Sequence, residues 1–534
     1  MFTLRKVFNL SVLLTLLLAT ACGAPASTEV PAATEAPYEF YPDSVPAETS
    51  APAAEGYYAA PSGGPSYFPT ASPPQSGREP YDMFFEDYGV NPSIDTEDDN
   101  LSTFALDVDT GSYTVARNYI QDGVLPPEDS VRVEEFVNYF DQGYPNPPEH
   151  QAFSISVDGA PSPFTLTERY DMLRIGIQGY QVSDWERKDA SLVFVIDVSG
   201  SMSMDNRLGL VKRSLELLVE QLRPTDQVAI VVYGTEARIV LDSTPGSAKG
   251  KILSAIHRLE PEGSTNAEAG LRLGYRVALK NYLPGGINRI ILCSDGVANV
   301  GQTEADAILD EVRGYVEEGV TLTTIGFGMD NYNDTLMEQL ADNGDGFYAY
   351  VDDMNEAERL FVDKITGTLQ TIALDAKVQV EFNPEVVARY RLVGFENRAV
   401  ADDDFRDNSV DAGEIGAGHS VTSLYEIKLR SGASGRIATV FLRWEDPDSH
   451  QVVEMSKDFH TEEMAREFQD ASPYFQRTVI VAEFAEILKQ SYWADGSSLT
   501  DVYREAERLS EYLPRDEDWS EFVELVRMAR RLQG

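Results

Sequence analysis

Residues 193–201 place oxygen-bearing side chains directly after an apolar run that is typical of a buried strand. Asp197 ends the run, and Ser199 and Ser201 follow at alternate positions. Alternate residues of an extended backbone point to the same side, so we expect these three side chains to converge just beyond the strand. Mg²⁺ prefers small oxygen ligands in near-octahedral geometry at about 2.0–2.1 Å. The segment therefore predicts a site for a hard divalent cation.

Two later segments offer further oxygen ligands for the same ion. Thr265 lies in a glycine-led loop before a helix-like stretch, and Asp295 follows a second apolar run at 290–294. Hydroxyls outnumber carboxylates in this set, so the ion would keep uncompensated charge and would accept a carboxylate from outside the chain. The alternative is that Asp197 and the two serines only cap the next helix, as isolated D-x-S-x-S segments often do.

The three segments, in this order, resemble the metal-ion-dependent adhesion site of the von Willebrand factor type A (VWA) family. That pattern reads D-x-S-x-S, then a loop Thr, then an Asp after a later strand, and the resemblance covers about residues 188–365. The matching positions are Asp197, Ser199, Ser201, Thr265 and Asp295. The resemblance implies bound Mg²⁺ or Mn²⁺, with the sixth position filled by an Asp or Glu of a protein partner.

The surrounding pattern predicts an α/β fold. Strand-like and helix-like segments alternate, and the strands are continuously apolar, which favours a doubly wound, mostly parallel sheet of Rossmann-like type. The predicted strands are 193–197, 228–233, 287–294, 321–327 and 347–351, and the predicted helices are 208–222, 248–257, 267–283, 305–317 and 334–341. Ligands of such sheets lie beyond the carboxyl ends of the strands, where Asp197 and Asp295 fall.

Strand patterns occur on both sides of this α/β region. They lie at 153–157 and 172–177 before it and at 377–382, 420–429, 437–444 and 452–459 after it, and helical patterns follow at 461–469, 476–492, 500–512 and 519–532. We therefore expect the VWA region to be flanked by, or inserted into, a β-rich domain, and pairing of 150–180 with 376–460 would establish insertion. Segments 131–140 and 371–419 resemble the flanking domains of one group of bacterial VWA lipoproteins.

The N-terminus has the pattern of an export signal. Arg5 and Lys6 precede an apolar run at 7–19, and the residues before Cys22 fit either a bacterial lipobox or an A-x-A cleavage site. We expect an extracytoplasmic protein that is anchored to the membrane through lipid on Cys22. The predicted domains are a signal peptide (1–21), a tether rich in Pro, Ala, Ser and Glu (22–80), an N-terminal VWA-associated region (81–187), the VWA domain (188–365), a β-rich domain (366–460) and a helical region (461–534).

The charge balance limits the partners. Lys and Arg number 43 against 88 Asp and Glu, which gives a net charge of −45. Nucleic acids and anionic lipid surfaces are poor partners because phosphate binding needs clustered cations. An acidic protein partner would be repelled at long range and captured only at the metal.

Two other functions remain open beside adhesion. A hydrolase would use the same metal or the pair Asp107 and Asp109, which lies in a D-T-G-S segment like that of aspartic proteases. Such chemistry needs two carboxylates sharing a proton, and the chain has no second D-[ST]-G, so we expect a non-enzyme. The remaining alternative is a structural component of an envelope complex.

An acidic run at 402–407, together with Asp411 and Glu414, is a candidate Ca²⁺ site. It does not follow the spacing of an EF-hand, because Arg406 occupies a ligand position. A solvated surface loop is the alternative.

Overall fold

The computed structural model describes residues 83–164, 170–183, 185–296, 302–329 and 332–533. The signal peptide, the tether and Cys22 therefore lie outside the described residues. None of the helices in the described part has the length and apolar character that crossing a membrane requires.

Strands and helices alternate through the middle of the chain and are segregated at its two ends. The strands are β1 Met83–Phe84, β2 Ile94–Asp95, β3 Leu101–Ala105, β4 Phe153–Pro161, β5 Asp171–Gly179, β6 Ala190–Asp197, β7 Gln227–Tyr233, β8 Ala237–Pro245, β9 Ile287–Ser294, β10 Thr321–Gly326, β11 Tyr332–Asn333, β12 Tyr348–Tyr350, β13 Thr371–Phe382, β14 Val387–Val393, β15 Gly413–Gly416, β16 Ser420–Leu429, β17 Arg436–Glu445 and β18 Val452–His460. The helices are α1 Gly111–Gln121, α2 Val133–Tyr139, α3 Arg207–Gln221, α4 Lys249–His257, α5 Ala267–Lys280, α6 Gln302–Val316, α7 Asp334–Asp342, α8 Met354–Glu358, α9 Ile365–Leu369, α10 Pro473–Leu488, α11 Leu499–Leu509 and α12 Glu517–Gln533.

The α/β region is built on a sheet of order β12-β10-β9-β6-β7-β8. Its strands pair in parallel except β8, which runs antiparallel along β7 at the edge. Every residue of β6 is buried, because apolar cores cover both faces of the sheet. The predicted doubly wound, mostly parallel sheet is therefore confirmed.

The strands on either side of this region form a sandwich of two sheets around one apolar core. One sheet has the order β2-β14-β16-β5-β4, and in the other β13 pairs with β3, β15 and β17. β5 precedes the α/β region, and its residues from Asp171 to Gln178 pair antiparallel with β16, which follows that region. The α/β region is thus inserted into a β-rich domain that is made from strands before and after it. Of the two arrangements expected from the sequence, flanking and insertion, the structure has insertion.

The C-terminal helices α10, α11 and α12 share one apolar core with α1 and α2. The helix predicted at 461–469 is wrong: that segment contains only two 3₁₀ turns, Thr461–Glu463 and Phe468–Asp470. Between these turns the backbone N–H of Ala465 donates to the carbonyl of Gly159 at 2.8 Å. Bonding to β4 replaced the helical bonds that the local pattern favoured.

Candidate functional site

The two predicted aspartates lie at the same edge of the α/β sheet. β6 and β9 are parallel neighbours in register, with Ile196 opposite Cys293, so Asp197, which ends β6, and Asp295, which follows β9, lie at the same edge. Asp197 is fully buried, and Asp295 is 3% exposed. The carboxyl edge of the sheet therefore carries two neighbouring buried acids, as the sequence predicted.

The serines are tied to these acids by hydrogen bonds. The backbone N–H of Ser199 donates to Asp197 Oδ1 at 2.7 Å, and the hydroxyls of Ser199 and Ser201 are 3.0 Å apart. The hydroxyl of Ser294, the last residue of β9, donates to Asp197 Oδ2 at 3.0 Å. The bonding is thus more extensive than a helix cap, and the segment after β6 shows no side-chain cap bond at Ser199.

The loop that carries Thr265 lies against the serine segment. The backbone N–H of Gly200 donates to the carbonyl of Gly263 at 3.1 Å. Gly263 has a positive φ of 74°, and a Cβ there would lie 2.2 Å from the hydroxyl of Thr235, so the turn requires glycine. Thr265 follows this contact as a half-buried residue. The fold therefore gathers the segments of all five predicted ligands at one edge.

Arg207 also belongs to this site, although no sequence pattern predicted it. It begins α3, and its Nη1 donates to Asp295 Oδ2 at 2.8 Å, with both side chains 4% exposed. Gly328, with a positive φ of 88°, leaves the space that the guanidinium fills, since a Cβ there would lie 2.3 Å from Arg207 Nε. Only the tertiary structure pairs this arginine with Asp295, because no local pattern links residues 88 positions apart.

Burial shapes the electrostatics of the site. The pKa of Asp197 is raised to about 6, because burial and the charge of Asp295 raise it by more than the hydrogen bonds from Ser199 and Ser294 lower it. Burial also raises the pKa of Asp295, against lowering hydrogen bonds from Arg207 and Ser201. The two carboxylates are therefore only partly compensated by the protein, and a cation would complete the compensation.

The donor set fits a hard divalent ion. Carboxylate and hydroxyl oxygens are what Mg²⁺ and Mn²⁺ prefer, whereas thiolate and imidazole favour softer metals. Cys293 precedes Ser294, but it lies fully buried in the apolar core, and burial raises the pKa of its thiol. It is therefore not a ligand.

The aspartate pair of the D-T-G-S segment has a different environment. Arg398 reaches both carboxylates, with Nε 3.2 Å from Asp107 Oδ2 and Nη2 3.7 Å from Asp109 Oδ2. Asp109 Oδ1 also accepts the backbone N–H of Tyr348 at 2.9 Å, and the two acids are 4% and 2% exposed. The pair joins the N-terminal region to the α/β region as a buried ion cluster, out of reach of a substrate.

His419, the histidine beside a glycine-rich loop, lines a cavity of about 1300 Å³ with Lys364. Burial, together with the charge of Lys364, lowers the pKa of His419 to about 3. The imidazole therefore stays neutral and is too weak a base for proton abstraction near neutral pH.

The candidate Ca²⁺ segment divides into two parts in the structure. Asp402 Oδ1 accepts the hydroxyl of Thr103 at 2.5 Å, away from Asp411 and Glu414. Asp411 and Glu414 instead meet Asp375, with one carboxylate oxygen of each lying within 4.8 Å of the others. The sequence missed Asp375, because a strand interior gives no local sign of a ligand.

Three family models match successive parts of the chain. The von Willebrand factor type A domain model matches residues 191–363, a von Willebrand factor model matches 79–171, and the C-terminal domain of the uncharacterized protein YfbK matches 367–532. The last match spans both the late strands and the C-terminal helices.

Similar proteins include the uncharacterized protein YfbK of Escherichia coli (strain K12), which is 42% identical over 352 residues. That alignment covers 65% of this chain and 61% of YfbK, so less than two thirds of that relative is matched. Inter-alpha-trypsin inhibitor heavy chain H4 of Homo sapiens is 33% identical over 163 residues, or 29% of this chain and 17% of that protein. Among solved structures, a von Willebrand factor type A protein from Catenulispora acidiphila is 14% identical with a TM-score of 0.44, covering 70% of this chain and 89% of that one.

Proposed function

We propose that this chain, which contains a von Willebrand factor type A domain at residues 191–363, binds protein partners through one divalent cation. VWA domains act in protein interaction and adhesion, and we propose the residues and the ion through which this chain would do so. Mg²⁺ or Mn²⁺ would be held by two acids and three hydroxyl residues, and a partner's Asp or Glu would complete the shell. The proposed ligands are Asp197, Ser199, Ser201, Thr265 and Asp295.

The observation that carries the proposal is the bonded group formed by Asp197, Ser199, Ser201 and Asp295. Its carboxylates are buried and partly compensated, and its donors are all oxygen. Asp197 and Asp295 formally balance the two charges of the ion, and Arg207 beside Asp295 adds one positive charge, which leaves the site net positive and favours an incoming carboxylate. The chain's net charge of −45 adds selectivity, since acidic proteins without a well-aligned carboxylate are repelled.

The first test is calorimetric titration of Mg²⁺ and Mn²⁺ into the full chain. We expect one saturable site that is lost in Asp197→Ala and kept in Asp242→Ala, a matched control at an exposed carboxylate on β8. The second arm measures capture of envelope proteins with Mg²⁺ or with EDTA, using the same three proteins. Capture that is equal in EDTA, or equal in Asp197→Ala, would refute metal-dependent binding.

A hydrolase is the rival proposal, and a structural part of an envelope complex is another. Hydrolysis is disfavoured because Asp107 and Asp109 are engaged by Arg398. Turnover that is abolished by Asp109→Ala but retained in Asp197→Ala would favour the hydrolase.

For localisation we propose that lipid on Cys22 anchors the protein outside the cytoplasm. The support is the sequence pattern around Cys22 together with the long segment rich in Pro, Ala, Ser and Glu that follows it. Cys22→Ser should move the protein from the membrane fraction to the soluble extracytoplasmic fraction, whereas Cys293→Ser should leave it in place. An unchanged distribution of Cys22→Ser would refute the anchor.

A further inference from the structure

A bulge in β13 creates a second acidic site, distant in sequence from the one above. The pairing of β13 with β15 shifts register between Ala373 and Ala376, and the pairing with β17 shifts between Leu374 and Lys377. Asp375 lies in both shifts and has a positive φ of 52°. A bulged residue leaves the ladder and its side chain is redirected, here toward the start of β15.

The redirected carboxylate meets two acids from the segment that leads into β15. Asp375 Oδ1 accepts the backbone N–H of Ala412 at 3.1 Å, which fixes it beside Asp411. One carboxylate oxygen from each of Asp375, Asp411 and Glu414 lies within 4.8 Å of the other two. Oxygens that share one Ca²⁺ at about 2.3–2.6 Å lie at most about 5 Å apart, so a single ion can bind all three.

Glu414 gives a second and independent indication of a ligand. Glu414 is 8% exposed, and none of the hydrogen bonds and ion pairs found among the described residues involves its carboxylate. A buried carboxylate without a partner is unfavourable unless it is protonated or a cation compensates it. The oxygen of this orphaned group lies within the acidic cluster, where a cation would be held.

Three cations near the cluster have other bonding partners, although Lys377 and Arg313 lower the pKa of Asp411 from a distance. Lys377 donates its Nζ to the carbonyl of Asp407 at 2.9 Å. Arg289 directs Nη1 to Thr323 and Nη2 to Thr371, and Arg313 bonds to Asn343 and Asp310. Among the described residues, none of these three cations forms an ion pair within 4 Å of the cluster.

A fourth acid, Asp345, faces the cluster from the α/β region. It lies between α7 and β12 with a positive φ of 46°. Burial raises the pKa of Glu414, and among the neighbouring charges Asp345 raises it most, ahead of Asp411. The charge of Asp345 in the inserted region therefore acts on a carboxylate of the sandwich.

We propose that Asp375, Asp411 and Glu414 bind a Ca²⁺ ion at the bulge of β13. The chemistry favours Ca²⁺ over Mg²⁺ because several carboxylates on loops and a bulge give the adaptable, high-coordination oxygen shell that Ca²⁺ takes. The site is separate from the Asp197 site and does not depend on the proposed function.

The experiment is a calorimetric Ca²⁺ titration of the full chain in an Asp197→Ala background, which removes the other proposed cation site. We expect one Ca²⁺ site whose affinity falls at least tenfold in Glu414→Gln and is unchanged in Asp403→Asn. Glutamine keeps the size of glutamate and removes its charge, while Asp403 is an exposed acid of the neighbouring segment and serves as the matched control.

Thermal unfolding gives a second readout on the same proteins. Ca²⁺ should raise the Tm of the Asp197→Ala chain and of the Asp403→Asn control, but not that of Glu414→Gln. If Glu414→Gln fails to fold, as judged by circular dichroism, Asp411→Asn at the exposed member of the cluster replaces it, with the same expected loss of affinity. The proposal would be overturned if the Asp197→Ala chain did not bind Ca²⁺. It would also be overturned if a folded cluster variant bound Ca²⁺ with an affinity within twofold of that of the Asp197→Ala chain.

Discussion

Arg207 and Asp295 form a buried pair whose removal should have opposite effects on stability and on metal affinity. Nη1 and Oδ2 are 2.8 Å apart, and both side chains are 4% exposed. Charge centres about 4 Å apart interact by about 4 kcal/mol at an effective dielectric constant near 20. Removing one partner of a buried pair costs about 3–5 kcal/mol, because the remaining charge is left uncompensated.

Arg207→Met keeps the aliphatic length of the side chain and removes its charge. In EDTA we expect the variant to lose about 3–5 kcal/mol of unfolding free energy, since Asp295 then faces Asp197 with no cation nearby. Mg²⁺ should restore most of this loss. The affinity for Mg²⁺ should rise at least tenfold, because the arginine no longer competes with the ion for Asp295. A tenfold rise corresponds to about 1.4 kcal/mol, which is less than the interaction of Asp295 with the arginine.

The assay combines urea unfolding, with EDTA or with Mg²⁺, and calorimetric titration of Mg²⁺. Arg213→Met is the matched control, because Arg213 is an exposed arginine of the same helix. If the unfolding free energy of Arg207→Met in EDTA equalled that of the wild type, the stabilisation of about 3–5 kcal/mol assigned to the ion pair would be refuted. Weaker Mg²⁺ binding would contradict the competition between arginine and ion, and would make Arg207 a residue that orients Asp295 for the metal.

Three further predictions concern the scaffold. Asp226→Asn should lower the unfolding free energy measured in urea by about 3–5 kcal/mol. The reason is that Arg187, whose Nη2 lies 2.7 Å from Asp226 Oδ2, would be left buried without its charge partner. A loss below about 1 kcal/mol would contradict this prediction. Burial raises the pKa of Glu483 to about 7, so its proton is held more tightly in the folded chain, and stability falls as pH rises from about 4 to 7. Glu483→Gln should remove that dependence and be more stable than wild type at pH 8 by about 1–3 kcal/mol, and a less stable variant at pH 8 would be contrary evidence. Gly274→Ala should lower the Tm, although alanine has the higher helix propensity, because the added Cβ would lie 2.5 Å from Val195 Cγ2. An unchanged or higher Tm would show that α5 can shift away from the sheet.

The inserted α/β fold was predictable because its signals are local. Continuous apolar strands such as β6 and β9, separated by helical periodicity, specify a sheet buried on both faces. In such a sheet, residues that follow parallel strands meet at one edge, so the proximity of Asp197 and Asp295 follows from topology alone. The helix expected at 461–469 was wrong because the carbonyl of Gly159, which accepts from Ala465, lies 306 residues away in the sequence.

The insertion itself needed information from both ends of the chain. Strand patterns before and after the α/β region indicated it, but only pairing of β5 with β16 and of β3 with β13 established one sandwich. Strand pairing over such separations depends on complementary faces and register, which no single segment encodes.

The sequence by itself determined the α/β fold, and it predicts five residues as oxygen ligands of a divalent cation. It could do so because strand-end positions and small oxygen ligands are properties of short segments. The tertiary structure alone decided that Arg207 pairs with Asp295, that Arg398 occupies the Asp107 and Asp109 carboxylates, and that Asp375 joins Glu414. These neighbours come from distant elements, and charge interactions depend on distance and burial, which exist only once the chain has folded.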